Sequence, residues 1–200
     1  MPADAAAQRL LGCLLVRMLE DGTRLSGRIV ETEAYMGSED EASHAVGGRR
    51  TAKNEQMYAA PNTAYIYFTY GMHHCMNVSC AAKDDPQAVL IRALEPIDGV
   101  ERMQELRTAG RNLKKPLTER DLCSGPGKLC QALALDRSLD GHNMNASKTL
   151  WIERGEAVQE CDILTGPRVG IADRGEWTHK HFRWCVAGNR HVSRPLPKKA

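Results

Sequence analysis

Residues 13–18 are an apolar run, and 25–35 return as a strand in which polar and apolar positions mix. Glu20, Asp21 and Gly22 supply turn chemistry between them, which predicts a hairpin. Residues 37–54 are polar, contain Gly47-Gly48 and read as a loop. Residues 64–69 are β-branched and aromatic, Tyr70-Gly71 punctuates them, and 72–80 continue as a second strand. That pair predicts a second, protruding hairpin. Residues 88–94 (AVLIRAL) form a short apolar strand carrying one arginine. Over 98–106 the period becomes helical, with Val100, Met103 and Leu106 on one face. Residues 114–118 read as a loop. Ser124-Gly125-Pro126-Gly127 then opens a helix over 128–135, proline standing near its start. Short strands are predicted near 150–153, 168–172 and 182–186. The expected fold is α+β: one compact domain over residues 1–200, with a curved, mainly antiparallel sheet and flanking helices. Strands and helices do not alternate strictly, so a doubly wound sheet is not expected. Residues 195–200 are expected to be a flexible tail.

The apolar run at 10–16 is too short to span a bilayer, is broken by Gly12 and lacks a small-residue cleavage site. Two hundred residues can bury a core without staples. The seven scattered cysteines are an odd number, which favours free thiols in a reducing compartment over a disulfide framework. A net charge of +2 does not by itself announce a nucleic-acid binder. Its distribution changes the picture. Residues 1–48 hold eight acids and four bases, whereas 174–200 hold seven bases and one acid. The basic end is either a solvated tail or a surface that attracts phosphates.

Only ten residues are aromatic, but four of the five tyrosines, Tyr58, Tyr65, Tyr67 and Tyr70, fall within thirteen positions. Alternation puts Tyr65 and Tyr67 on one face and Tyr70 at the hairpin tip. This is either an ordinary aromatic strand face with one surface tyrosine or a base-stacking platform with a wedge. Glu31, Glu33 and Tyr35 share a face of the strand 25–35. On a wet edge the glutamates are merely solvated; lining a pocket, either could act as a general base on water. His73, His74, Cys75 and Cys80 invite a zinc reading, yet alternation splits the histidines between faces, and paired CxxC, HExxH and deaminase signatures are absent. GxGxxG, P-loop and GxSxG motifs are absent too. Residues 124–128 (SGPGK) could offer backbone amides to an anion, a weak signal alone.

Five stretches together resemble the alkyladenine (3-methyladenine, or N-methylpurine) DNA glycosylase family: GRIVETEAYMGSEDEASHAVGGRRT (27–51), MYAAPNTAYIYFTYGMHHCMNVS (57–79), QAVLIRALEP (87–96), CSGPGKLCQALAL (123–135) and RVGIADRGEW (168–177). They occur in the family's order and cover most of the chain. The likeness weakens over 107–118, over 137–166 and after Arg190. It implies a monofunctional base-excision-repair enzyme that flips an alkylated or deaminated purine from duplex DNA and hydrolyses its glycosidic bond. The implied substrates are 3-methyladenine, 7-methylguanine, ethenoadenine and hypoxanthine. By the same likeness Glu33 is the general base. Arg92 and the Val169 carbonyl hold the water. Tyr35, His44 and Tyr67 sandwich the base, Asn77 disfavours guanine, and Tyr70 is the intercalating wedge. Arg49, Thr51, Met72, His73 and Lys128 are expected on the DNA backbone.

These expectations include no cofactor and no metal, damaged double-stranded DNA as partner, no membrane, and a monomer. The location would be the nucleus in a eukaryote or the cytoplasm in a bacterium. A lesion-binding module without catalysis, a zinc-dependent nucleotide hydrolase and a purely structural basic domain are the competing readings.

Overall fold

The computed structural model describes residues 1–69, 71–113, 115–194 and 196. Eight strands form one antiparallel sheet that curls into a half-barrel. The strands are β1 (Leu14–Met18), β2 (Arg24–Tyr35), β3 (Ala64–Thr69), β4 (His73–Ser79), β5 (Ala88–Asp98), β6 (Leu150–Glu153), β7 (Ile163–Gly166) and β8 (Arg183–Val186). Their main order is β3-β4-β5-β2-β1-β6, with β8 added beside β2 and β7 beyond β8. The expected α+β class, the two hairpins and the antiparallel sheet are therefore present.

The long strand β2 is the axis of the sheet. It pairs with β5 along one edge, and on the other with β1 and then β8. Its register against β5 shifts at three places, the first between Ser26 and Gly27. Ile29 opposes Leu94, Glu31 opposes Ala93, and Thr32 opposes Ile91, so Val30 and Arg92 are each an extra residue. Such bulges redirect side chains. Before the bulge Leu25 and Ile29 enter the helix-side core; beyond it Ala34 does, and the Thr32 hydroxyl donates to the Ala7 carbonyl at 2.9 Å. The opposite face then presents Glu31, Glu33 and Tyr35. A strict two-residue alternation could not have supplied both faces correctly.

Among the described residues five α-helices accompany the sheet: α1 (Ala3–Leu10), α2 (Val100–Thr108), α3 (Glu119–Cys123), α4 (Pro126–Ala132) and α5 (Glu176–His179). The first is alanine-rich, with Asp4 in its first turn and Arg9 in its last, a sense that complements the helix dipole. It buries Ala3, Ala6 and Ala7 in the main core with Met103 of α2, Leu122 of α3 and Leu129 of α4. The sequence reading did not anticipate α1, α3 or α5. It also misplaced one strand. Residues 168–172 are irregular, and the strand lies upstream at Ile163–Gly166. The physical reason is that the Val169 amide donates to the Glu33 carboxylate instead of to a ladder, while the neighbouring Arg168 side chain is held by Asp40. Of the expected tail, residues 195 and 197–200 lie outside the described residues.

Candidate active site

The site face of β2 meets β4, β5, β8 and two irregular segments. Glu33 is fully buried. Its Oε1 accepts a hydrogen bond from the Val169 amide at 2.6 Å. Its Oε2 accepts one from the Tyr35 hydroxyl at 3.1 Å and lies 3.3 Å from Arg92 Nη1. Burial pushes the Glu33 carboxyl above its usual range; Arg92 and the Val169 amide oppose this, the Glu31 charge adds to it, and the Tyr35 bond opposes it.

Glu31, equally buried, is the counter-ion of two arginines. Its Oε1 accepts from Arg92 Nε at 3.0 Å and from Arg183 Nη1 at 2.9 Å, and its Oε2 from the Ser193 amide at 2.6 Å. Every charge here has a partner, as burial demands. The glutamates are thus neither wet nor equivalent. Glu31 is saturated by fixed donors, while Glu33 shares its oxygens with a backbone amide, a phenol and one guanidinium. Burial disfavours charge on Arg92, but Glu33 and Glu31 outweigh it and Arg92 stays cationic.

Above this cluster stands an aromatic group. Tyr65 and Tyr67 share a face of β3 with ring centroids 5.3 Å apart. The His44 ring meets Tyr67 edge-on at 4.7 Å, and its Nδ1 is 2.8 Å from the Tyr65 hydroxyl. Tyr35 and Tyr67 pack against the small core of Ala45, Met57, Tyr58, Tyr65 and Ala88. Partial burial, and then Arg49, hold His44 below the usual histidine range, so it is neutral at neutral pH. Burial and then Glu33 push the Tyr35 phenol up, and burial and then Cys75 push up that of Tyr67. The rings are therefore all neutral. Asn77, opposite Tyr65 on β4, is buried and donates to the Tyr65 carbonyl at 3.1 Å.

The polar stretch 37–54 is an ordered loop. Asn54, itself buried, bonds the carbonyls of His44 and Arg49 through Nδ2 and the amide and hydroxyl of Thr51 through Oδ1. Arg49 and Thr51 are exposed on this loop. Met72, 69% exposed, and His73 stand at the far end of the β3–β4 hairpin. A Cβ on Gly127 would lie 3.0 Å from the His73 ring, tight enough that the ring would have to shift by a few tenths of an ångström, so glycine favours this close approach of α4. Lys128 follows, its Nζ 3.2 Å from the Ser124 hydroxyl. Tyr70 lies outside the described residues.

Glu33, Arg92, Val169, Tyr35, His44, Tyr67 and Asn77 thus come together, while Arg49, Thr51, Met72, His73 and Lys128 lie on surrounding loops and the hairpin. Sequence reasoning missed Arg183, Asp40, Arg168 and Asn54, whose partners are distant in the chain or whose bonds are to backbone. Among the described residues no three His, Cys, Asp or Glu side chains group as a metal site. All seven cysteines are unpaired, and among the described residues no helix is long and apolar enough to cross a membrane.

The model of the methylpurine-DNA glycosylase family matches residues 1–190. The chain is 48% identical over 200 residues to the mouse protein named DNA-3-methyladenine glycosylase, covering 96% of this chain and 58% of that one. The human protein of the same name is 47% identical over 195 residues, covering 96% and 65%. A putative 3-methyladenine DNA glycosylase of Clostridium perfringens is 40% identical over 191 residues, covering 94% and 92%. The chain therefore spans about three fifths of the length of the mammalian relatives and nearly all of the bacterial one.

Proposed function

The chain belongs to the methylpurine-DNA glycosylase family, and from that premise we propose that it is a monofunctional DNA glycosylase acting as a monomer on alkylated or deaminated purines in duplex DNA. The observation that carries this reading is Glu33: a carboxylate buried among Arg92, the Val169 amide and the Tyr35 hydroxyl, beneath neutral aromatic rings.

A base inside a duplex is inaccessible and must be rotated out, at a cost of a few kcal/mol that is least for damaged pairs. Tyr70 takes the vacated place in the stack, and Arg49, Thr51, Met72, His73 and Lys128 grip the backbone. The extruded purine lies among Tyr35, His44 and Tyr67, with Asn77 crowding a guanine 2-amino group. Methylation at N3 or N7 makes the base a cation and a good leaving group, and neutral aromatic faces attract it by roughly 0.5–2 kcal/mol. A cationic His44 would oppose that attraction, so its depressed basicity suits this ligand. Glu33 takes a proton from a water held by Arg92 and the Val169 carbonyl, and the water attacks C1′. Desolvation makes the Glu33 carboxylate a stronger base than in solution. The products are a free base and an abasic site.

Methylpurines come first among the substrates; ethenoadenine and hypoxanthine extend the same proposal. Release of free base from duplexes each bearing one lesion tests it. Binding of damaged duplex without release would leave only a lesion-binding module, and a borohydride-trapped protein–DNA adduct would replace water with an amine nucleophile.

A further inference from the structure

One buried ion pair outside the Glu33 cluster joins the two irregular segments of the site. Arg168 and Asp40 both have fully buried side chains. Arg168 Nη1 lies 2.5 Å from Asp40 Oδ2, and Nη2 lies 2.8 Å from Oδ1, a bidentate fork. Nη1 also donates to the Ala34 carbonyl at 3.0 Å, and Nη2 to the Trp177 carbonyl at 3.4 Å. Asp40 in turn accepts from the amides of Met36 and Ala42, which sets the start of the loop that carries His44. The guanidinium carbon stands 4.8 Å from the Tyr35 ring centroid and 5.4 Å from that of Phe182. The residue after Arg168 is Val169, whose amide holds Glu33.

We propose that Arg168, gripped by Asp40, is a positioning residue for the reaction: it fixes the Val169 backbone on Glu33 and backs the Tyr35 ring while tying the 168–169 segment to the His44 loop. The inference rests on Glu33 being the general base. The planar fork, the stack and the backbone bonds all use the guanidinium shape, so lysine cannot replace it.

The Val169 amide favours the ionised form of Glu33. If Arg168 releases that segment, Glu33 becomes harder to ionise. The other charged or titratable groups facing Glu33 are Arg92 of β5, Cys75 of β4, Arg183 of β8, and Glu31 and Tyr35 of its own strand. Burial pushes the Cys75 thiol up, as it does the Tyr35 phenol, and both stay neutral. His44 lies near the aromatic rings, so a His44→Asn background separates its titration from that of Glu33.

The test is single-turnover excision at saturating protein from a duplex carrying one 7-methylguanine, followed across pH. That cationic base needs no acid to leave, so the acid limb reports the base alone. Arg168→Lys is expected to slow excision by about 10–100-fold near neutrality, a loss typical of about 1 Å of misplacement. Its acid limb should move to higher pH, the deficit shrinking as pH rises, and Asp40→Asn should move it the same way by less. A deficit constant across pH, or no deficit, in a variant that unfolds at the wild-type temperature would overturn the inference. So would failure of both variants to fold, since the pair would then be only a structural tie. Glu33→Gln in parallel separates the two claims. Normal excision by Glu33→Gln defeats the general-base reading itself. An inactive Glu33→Gln beside an unshifted Arg168→Lys profile defeats the positioning inference alone.

Discussion

The two faces of β2 are built on opposite principles. Toward the helices, Leu25, Ile29 and Ala34 pack in an apolar core where the one polar side chain, Thr32, is satisfied by Ala7. Toward the site, the same strand buries two carboxylates and a phenol among two arginines. The first face gains stability from dispersion and dehydration, which depend on volume and tolerate exchange of similar shapes. The second gains little net stability from burying ions and needs every partner in place. One face holds the strand still, and the other uses that stillness.

The comparison breaks most sharply at Glu33. Glu33→Gln is expected to lower single-turnover excision of 7-methylguanine by about 10²–10⁴-fold, the range of a positioned base, while the fold persists. Because the folded-state pKa of Glu33 is raised, the unfolded chain ionises it more readily, and raising pH through the carboxylate range costs stability. The glutamine removes that cost. Thermal unfolding should show the variant gaining on wild type as pH rises from the acid side toward neutrality, and losing the gain as pH falls below the unfolded carboxyl value. A lower melting temperature for Glu33→Gln at neutral pH would contradict this.

Next in size is Glu31→Ala, which strands Arg183 without its counter-ion, leaves Arg92 only Glu33, and should cost about 3–5 kcal/mol in urea unfolding. On the helix side, Ile29→Val should cost about 0.5–1.5 kcal/mol, with excision per folded molecule unchanged. The smallest change, Thr32→Val, removes one buried hydrogen bond and should cost about 1 kcal/mol. If Ile29→Val slowed excision as much as it lowered stability, the two faces would not be separable.

The apolar face was largely legible in the sequence, because local alternation and period report it directly. Strands β1 to β6, β8 and helices α2 and α4 follow from such patterns, with ends shifted by a few residues. Helix α3 carries a local signal in the sequence, the capping box formed by Thr118 and Asp121. Helix α1 runs straight into the apolar stretch 10–16, which dominates the local pattern. The polar face was legible only in part. Glu31, Glu33 and Tyr35 sit at period two on one strand, but their partners do not. Asp40 and Arg168 are 128 positions apart, and Glu31 and Arg183 are 152 apart. Ion pairs over such distances leave no local trace. The segment 168–172 looked like a strand for the same reason: Val169 and Ile171 alternate, but tertiary bonds decide their backbone.

The paired bulges at Val30 and Arg92 make the site a matter of chain length as well as composition. A one-residue shift in a strand exchanges its faces, so an insertion or deletion here would change which side chains meet the helices without altering any of them. Two sequences with the same glutamates and the same arginine could then differ by one uncharged residue, and only one of them would hold its carboxylates against Arg92, Arg183 and the Val169 amide. Alignments that place a gap within 29–32 of this strand should for that reason be read as changes of active-site address.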